Sequence, residues 1–169
     1  MTYETVICSC FTLFLMINTQ LQEKNSVSNR KFVFKLSETK RYRFPTHTNE
    51  LVIDRSDADT SEVFVTVLQP GEMSPLHKHD DTEQVFHVIE GSGILTIGEE
   101  GLTFGIEKGD VVRIPVGVLH KTQSSGDIAL RYLVVDCFPG GRPSAEPTWD
   151  EHARVLCKQQ GWNYDQAVS

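Results

Sequence analysis

Short apolar runs separated by turn-forming residues fill the middle of this 169-residue chain and limit the folds open to it. From residue 32 to residue 136, Gly, Pro, Asn or Asp interrupts the apolar pattern at close intervals. Such spacing is typical of an antiparallel sandwich or closed barrel, because helices need longer periodic segments. The sequence therefore predicts an all-β fold. The predicted strands are 32–36, 51–54, 62–68, 84–90, 93–98, 101–106, 111–114, 118–123 and 128–136.

Two of the turns predict how neighbouring strands connect. The EGSG segment at 90–93 and the GEEG segment at 98–101 each suit a hairpin, because Gly accepts the positive φ angles of tight turns. Residues 84–106 are therefore predicted to form an antiparallel meander.

The segment after Asp136 has a different composition. FPGGRPSAEP, at 138–147, is a Pro/Gly-rich connector, and the next residues, TWDE, fit a capping box that opens a helix. This helix is expected to run to about Gln160 and to end at Gly161. Its apolar stripe should dock on the outside of the barrel, with a helix-mediated dimer contact as the alternative. The stripe comprises Trp149, Ala153, Val155 and Leu156.

The chain begins with an apolar segment, Val6–Ile17, that is only about half as long as a membrane-spanning helix. It could serve as the core of a signal peptide, but no Lys or Arg precedes it and no small-residue cleavage site follows. Met16 could instead mark the true start. We therefore expect residues 1–31 to be a poorly ordered leader or a misassigned start, followed by a barrel at 32–138 and a connector with a packed helix at 139–169.

Charge and cysteine usage argue against several classes of partner. The formal net charge of −7 disfavours nucleic acid, which binds clustered Lys and Arg, and no membrane partner is expected. The basic residues between Lys24 and Arg43 are interpreted as a solvated face. The four cysteines include no CxxC pair, so Cys137 and Cys157 are expected to be reduced packing residues in a cytoplasmic protein.

His77 and His79 are the first indication of a metal site. Residues two apart on a strand project to the same face, so both imidazoles can reach one ion. Histidines fall at this spacing by chance as well, so the interpretation depends on their surroundings. Pro115 and Gly117 would turn the chain so that His120 re-enters the barrel beside the first two histidines.

Residues 71–124 resemble the two sequence motifs of the cupin family. The first motif is a Gly, five residues, His-x-His, three or four residues, a Glu, six residues and a Gly. The second is a Gly, five residues, Pro-x-Gly, two residues, a His, three residues and an Asn. Eight of the ten positions match, and the departures are Gln84 in place of the Glu and Ser124 in place of the Asn. The matching residues are Gly71, His77, His79, Gly91, Gly109, Pro115, Gly117 and His120.

The resemblance implies a jelly-roll β-barrel with a divalent metal ion held by His77, His79, Gln84 and His120. The ion could be Mn, Fe, Ni, Zn or Co, because imidazole suits several of them. A small-molecule substrate or ligand is implied too, as is a homodimer in which residues 32–44 would supply an exchanged strand. This ligand set also resembles that of some small cupins with three histidines and a glutamine, among them the pectin-degradation cupins that act on unsaturated uronate sugars.

Strand parity separates Glu83 from Gln84. Counting back from Gly91 places Gln84 at the ligand position of the motif, and Gln84 then shares the inward face with Phe86 and Val88. Glu83 would point away from the metal. A one-residue bulge would exchange the two roles.

Several other residues have candidate roles. His47 in a loop, His152 on a surface helix and His87 on the outward face of its strand are expected not to bind the metal. Phe86 and Met73 would line the pocket or pack in the core. The candidates for a general acid or base, among which the sequence does not decide, are Glu72, Glu83 and Tyr132.

The predicted ligand set bears on the chemistry. Three neutral imidazoles and an amide leave a divalent ion with its full charge, whereas a glutamate would cancel one unit. Full charge favours Lewis-acid work, namely isomerisation, ring opening or lyase chemistry on a small oxygen-rich acid or sugar-like substrate. The alternatives are a metal-dependent dioxygenase or decarboxylase, which a Glu83 ligand would favour, and a small-molecule-binding cupin without catalysis.

Overall fold

Nine antiparallel strands are the main regular elements of the part of the chain that the structure describes. The structure is a computed structural model, and it describes residues 31–167. The predicted all-β fold class is confirmed. The strands are β1 (Lys40–Arg43), β2 (Thr48–Ile53), β3 (Ser61–Leu68), β4 (Glu83–Glu90), β5 (Ser92–Ile97), β6 (Leu102–Glu107), β7 (Val111–Ile114), β8 (His120–Ser124) and β9 (Leu130–Cys137).

The strands make two sheets arranged as a jelly roll. One sheet has the order β1-β2-β3-β9-β4-β7, and the other has the order β6-β5-β8. Every named strand pair is antiparallel. Strands distant in sequence lie side by side, as β3 and β9 do, so the barrel is built from long-range pairs.

Alternation of apolar and polar residues decides which face of each strand is buried. In β4 the side chains of Gln84, Phe86 and Val88 are buried, while His87 between them is exposed. In β9 the alternation runs through the whole strand. This period of two sends one face to the barrel interior and the other to solvent.

The predicted strand at 32–36 is wrong. Residues 32–35 have no regular secondary structure, and a 3₁₀ turn occupies Leu36–Glu38. The first strand is β1, which pairs with β2 of the same chain. Three of its four residues are charged and exposed, and only Tyr42 is buried. The composition of β1 therefore does not indicate a strand. An apolar run forms a strand only where a neighbouring strand can take its hydrogen bonds.

The predicted meander at 84–106 is half right. β5 and β6 form the expected hairpin, but β4 belongs to the other sheet, where it pairs with β9 and β7. The chain changes sheets at Gly91, which has a φ of 79°. A Cβ there would lie against the backbone of Ala129 and 2.9 Å from Leu130 Cα, so only glycine fits this crossing.

Helix α1 (Trp149–Gln160) begins and ends where the sequence predicts. Thr148 Oγ1 accepts a hydrogen bond from the Glu151 backbone N–H at 3.3 Å, and the Glu151 carboxylate accepts one from the Thr148 N–H at 3.2 Å. Gly161 closes the helix in the left-handed conformation. The buried side chains are Trp149, Ala153 and Cys157, while Val155 and Leu156 are half-buried. A second, four-residue helix, α2 (Tyr164–Ala167), follows.

The compact unit that carries the barrel and α1 begins at Lys35. Among residues 31–167, no helix has the length and apolar character needed to cross a bilayer. The predictions for Val6–Ile17 and for a leader or misassigned start lie almost wholly outside the described residues, so they stay predictions. The division into a barrel at 32–138 and a C-terminal segment at 139–169 also stays a prediction.

Candidate metal centre

Three of the predicted ligands come together inside the barrel. One ring nitrogen from each of His77, His79 and His120 lies within 4.8 Å of the others. His120 opens β8, whereas His77 and His79 lie on an extended segment that is not a strand. Instead, His77 and His120 form an isolated antiparallel bridge, with N–H to O distances of 3.0 and 2.8 Å. The backbone itself therefore joins the two motifs.

Backbone carbonyls fix which nitrogen of two histidines faces the cluster. Nδ1 of His77 lies 2.8 Å from the Pro75 carbonyl oxygen, and Nδ1 of His120 lies 2.9 Å from that of Val118. A carbonyl oxygen only accepts hydrogen bonds, so each Nδ1 carries the proton. Each Nε2 is left with a lone pair, the form in which imidazole binds a metal.

Burial keeps the histidines of the cluster neutral. It lowers the pKa of His79 from 6.5 to about 2, with further lowering by the charges of neighbouring histidines. It lowers the pKa of His120 from 6.5 to about 4. The pKa of His77 also falls, mainly through burial, partly offset by the hydrogen bond to Pro75. Each neutral ring keeps a lone pair on its unprotonated nitrogen. Metal binding requires histidine in this neutral form.

The structure places Gln84 at the cluster and Glu83 away from it. Gln84 Oε1 lies 2.9 Å from His120 Nε2, and the Gln84 side chain is only 4% exposed. Glu83 extends to the outer face of β4, where it pairs with Arg113 at 2.5 Å. β4 has no bulge at this point, because Gln84 stays in register with Asp136 and Ile114.

A buried chain of charged residues holds the Gln84 amide in place. Gln84 Nε2 donates to Asp136 Oδ1 at 2.8 Å, and Asp136 lies opposite Glu62 in the register of β9 with β3. Arg55 binds both carboxylate oxygens of Glu62, at 2.6 and 2.7 Å, and both side chains are at most 3% exposed. Burial, then the neighbouring Glu62, raises the pKa of Asp136 well above its ordinary value. The amide nitrogen thus faces Asp136, and the amide oxygen faces the histidines.

The cluster fits a divalent cation. His120 Nε2 and Gln84 Oε1 are both acceptors and face each other, a repulsive arrangement that a cation between them would relieve. His79 Nε2 is buried with no hydrogen-bond partner in the described chain. Buried polar atoms are rarely left unpaired, so an unpaired Nε2 at this position also fits a metal ligand. Three imidazoles and one amide oxygen are suitable donors for several divalent metals.

The cluster lies in a cavity of about 500 Å³. Its walls include neutral hydrogen-bonding side chains, namely His47, Asn49, Thr66, Thr122 and Tyr132. The two cationic side chains of its lining are already paired: Arg55 with Glu62, and Lys78 with Asp80 at 3.0 Å. The cavity walls therefore offer a substrate neutral donors and acceptors beside the carboxyl groups of Asp80, Asp81, Asp136 and Glu146.

The other three histidines differ in position. His87 is exposed on the outer face of β4, as predicted. His47 and His152 were expected in a loop and on a surface helix, yet both line the cavity. His47 is buried and directly precedes β2. His152 is half-buried, because the helix α1 packs with one face against the cavity. None of the three belongs to the described cluster of possible metal ligands, so their exclusion as ligands stays a prediction.

Of the three proposed acid–base residues, Tyr132 alone lines the cavity. Burial raises its pKa to about 12, with hydrogen bonds to Thr122 and Thr66 partly opposing this, so it keeps its proton near neutral pH. Glu72 pairs with Arg43 at 2.6 Å, and Glu83 pairs with Arg113 on the outside. Phe86 lines the cavity, while Met73 does not.

Sequence reasoning missed the residues that support the site. Asp136 lies in an apolar run and draws attention only because a carboxylate on the buried face of a strand needs a partner. Arg55 and Glu62 are ordinary surface residue types, and no spacing rule connects them to Gln84. The alternation of β9 could have flagged Asp136, whose neighbours Val134 and Tyr132 share its buried face.

Residues 64–136 match the family model described as a cupin domain. A curated relative, an uncharacterized protein of Methanocaldococcus jannaschii, is 33% identical over 80 residues, which are 47% of this chain and 62% of the relative. This chain spans less than two thirds of the length of the first curated relatives that it matches.

Solved structures show the same architecture. The polyketide cyclase RemF of Streptomyces resistomycificus superposes with a TM-score of 0.55 and 28% identity, covering 68% of this chain and 84% of that one. A double-stranded β-helix protein of Klebsiella pneumoniae superposes with a TM-score of 0.56 and 21% identity, covering 66% and 93%. Together, the matched domain model, the two-sheet topology and these neighbours show a cupin domain with a jelly-roll fold at residues 64–136 of this chain.

Proposed function

We propose that this protein is a metal-dependent cupin enzyme that acts by Lewis-acid chemistry on a small oxygen-rich acid or sugar-like substrate. The reaction class is isomerisation, ring opening or lyase chemistry. The observation that carries the proposal is the orientation of β4. The Gln84 amide points toward the cluster of His77, His79 and His120, and Glu83 points outward.

The proposed ligands are His77, His79, Gln84 and His120, and the ion is one of Mn, Fe, Ni, Zn or Co. When bound there, a divalent ion would polarise a carbonyl or hydroxyl oxygen with its full charge, because no carboxylate ligand cancels part of it. Asp136 sets the direction of the Gln84 amide by accepting from Nε2. The carbonyls of Pro75 and Val118 hold two of the imidazoles in the metal-binding tautomer.

The cavity walls support a small polar substrate. Thr66, Thr122 and Tyr132 present hydroxyl groups, which suit the hydroxyl and carbonyl oxygens of a sugar-like molecule. A substrate carboxylate would have to bind at the ion, because the cationic side chains of the described lining are paired. The similarity to a polyketide cyclase adds support for a reaction that rearranges bonds without an oxidant.

A dioxygenase or decarboxylase is the second candidate. Such chemistry would be favoured if Glu83 replaced Gln84 at the ion, since a carboxylate ligand stabilises a higher oxidation state. The register of β4 argues against that exchange. A cupin that binds a small molecule without turnover is the third candidate and would show saturable binding alone.

Metal content measured by mass spectrometry tests the ligand set. We expect the purified wild-type protein to hold one divalent ion and the Gln84→Ala variant to lose most of it. Glu83→Ala is the matched control, because it removes the adjacent side chain, which points to solvent and Arg113. Loss of metal from Glu83→Ala alone would refute the neutral ligand set and would direct screening to oxygen uptake.

We also propose a homodimer in the cytoplasm that binds neither nucleic acid nor membrane. The thiols of Cys137 and Cys157 are free, in keeping with a reducing compartment. β1 pairs with β2 of its own chain, so an exchanged strand at 32–44 would need this hairpin to open in the dimer. Light scattering that finds only monomers at micromolar concentration would exclude the dimer.

A further inference from the structure

A carboxylate–imidazole pair borders the cavity on the side of α1. Glu146 lies in the connector before the helix, and His152 lies in its first turn. Glu146 Oε2 is 2.6 Å from Nδ1 of His152, and both side chains are about one quarter exposed, at 25% and 24%. Both residues line the cavity that contains the histidine cluster.

Arg55 and Trp149 restrict the movement of this pair. Arg55 Nη1 donates to the backbone oxygen of Glu146 at 3.2 Å and lies 3.6 Å from its Oε2. The indole of Trp149 is 5.3 Å from the imidazole of His152, measured between ring centroids. The hydrogen bond from His152 is the largest influence on the pKa of Glu146 and lowers it, so Glu146 is an ionised acceptor.

An ionised Glu146 determines which nitrogen of His152 is available. Because the carboxylate accepts a hydrogen bond, Nδ1 carries a proton. Nε2 has no hydrogen-bond partner in the described chain. A carboxylate that orients an imidazole in this way stabilises the cation formed when Nε2 takes up a proton.

The other ionisable groups of the cavity are less suited to proton transfer. Tyr132 keeps its proton, and Asp136 is committed to Gln84 and Glu62. Lys78 and Asp80 pair with each other and are more than half exposed. His47 also lines the cavity, but it is buried and both of its ring nitrogens have hydrogen-bond partners, Thr46 and Asn49. Asp81 accepts a hydrogen bond from the Thr82 hydroxyl at 2.9 Å. Histidine is the side chain that acts most often as a general acid or base in enzymes.

We propose that His152 is the general acid–base residue of this site and that Glu146 is the positioning residue that orients it. This inference rests on the proposed function. In the step, the C–H bond beside a substrate carbonyl breaks, and its proton passes to His152 Nε2. The electron pair stays on the substrate as an enolate, and His152 returns the proton to a neighbouring atom. The balance is that of an isomerisation, with no oxidant or reductant.

Deuterium exchange into a simple carbonyl compound tests the proposal without knowledge of the natural substrate. Dihydroxyacetone in D₂O is incubated with the zinc-loaded protein, and loss of its α-proton signal is followed by NMR. We expect the wild-type protein to accelerate exchange and the His152→Gln variant to lose at least about 100-fold in rate. His87→Gln is the matched control, because His87 is exposed on the outer face of β4.

Zinc content and ring NMR separate catalysis from a structural role. We expect His152→Gln to retain its zinc, the wild-type His152 ring signals to shift when dihydroxyacetone is added, and ¹⁵N shifts to show a proton on Nδ1. In Glu146→Gln we expect the same zinc content, slower exchange and a changed tautomer ratio of His152. Equal exchange rates in wild type and His152→Gln, or loss of zinc from His152→Gln, would overturn the proposal.

The same measurements distinguish failure of the proposed metal site from failure of the proposed role of His152. A wild-type protein that binds none of Mn, Fe, Ni, Zn and Co would overturn both the proposed function and the role of His152. Zinc-loaded wild-type protein that causes no exchange would overturn the role of His152 alone, because the metal centre would stand on its own measurement.

Discussion

His47 shows how a single buried side chain makes stability depend on pH. His47 is 7% exposed, its ring lies between Thr46 and Asn49, and it packs at a tilt against Phe44 and edge-on to Trp162. Burial lowers its pKa from 6.5 to about 3, with smaller lowering by His77 and Arg43. In the folded protein it therefore stays neutral at pH values where the unfolded chain takes up a proton.

The sign of the effect follows from this difference. Above pH 6.5 neither state is protonated at His47, so the residue has no pH effect. Below that pH the unfolded state binds more protons, and the free energy of unfolding falls by about 1.4 kcal/mol per pH unit until the folded pKa is reached. His77, His79 and His120 also have pKa values lowered by burial and contribute a decline of the same sign. We therefore expect His47→Asn to make the decline shallower, by the contribution of one histidine, between pH 6.5 and pH 4.5, as measured by urea unfolding.

His87→Asn is the control for that measurement, because His87 is exposed on β4. It should leave the slope unchanged. An equal slope in wild type and His47→Asn would mean that His47 is protonated in the folded protein.

Two glycines of the sequence motifs turn the chain at the ends of strands. Gly91, between β4 and β5, and Gly109, before β7, both have positive φ, at 79° and 98°. They differ in surroundings: a Cβ at Gly91 meets the backbone of Ala129 and Leu130, whereas a Cβ at Gly109 meets nothing within 4 Å. One glycine joins the sheets through close approach, and the other only turns the chain.

Alanine substitutions should separate these two requirements. Gly109→Ala should lower the free energy of unfolding by about 1–2 kcal/mol, the cost of positive φ alone. Gly91→Ala adds a clash with backbone that cannot rotate away, which costs about 1–3 kcal/mol more. Urea unfolding of both variants measures the difference. Equal losses would show that the backbone near Ala129 moves aside.

The elements also show what sequence could predict. Strands with clear alternation, such as β4 and β9, were found because burial on one face leaves a period of two. β1 was missed, since it buries only Tyr42 among charged residues. Motif spacing and parity are local properties, and from them the sequence predicts the three histidines and Gln84 as ligands; the structure brings these four side chains together. The alternation of β9 marks Asp136 as buried, but its pairing with Gln84, 52 residues away, is a tertiary contact that no local pattern encodes. The same holds for Arg55 and for the approach of α1 to the cavity.

At the scale of the whole molecule, metal binding should appear as added stability. A ligand that binds only the folded state stabilises it by about 2.7 kcal/mol at a free concentration 100-fold above its Kd. We expect Zn²⁺ or Mn²⁺ to raise the thermal unfolding midpoint of metal-stripped protein. The ligands are mainly imidazoles, so Ca²⁺, which prefers six to eight oxygen ligands, should have no such effect. Equal stabilisation by Ca²⁺ would point to binding at surface carboxylates instead.

Arg55 contacts both Glu62, behind the metal centre, and Glu146, beside the cavity. For protein engineering, the contacts of Arg55 separate cavity residues that can be substituted from residues that must be kept. Substitutions at Thr66 or Thr122 change the shape offered to a new substrate while leaving the ion-pair chain intact. Substitutions at Arg55, Glu62 or Asp136 would disturb the proposed metal ligand Gln84 and the orientation of His152 together. A library aimed at new specificity is therefore best confined to the hydroxyl-bearing wall.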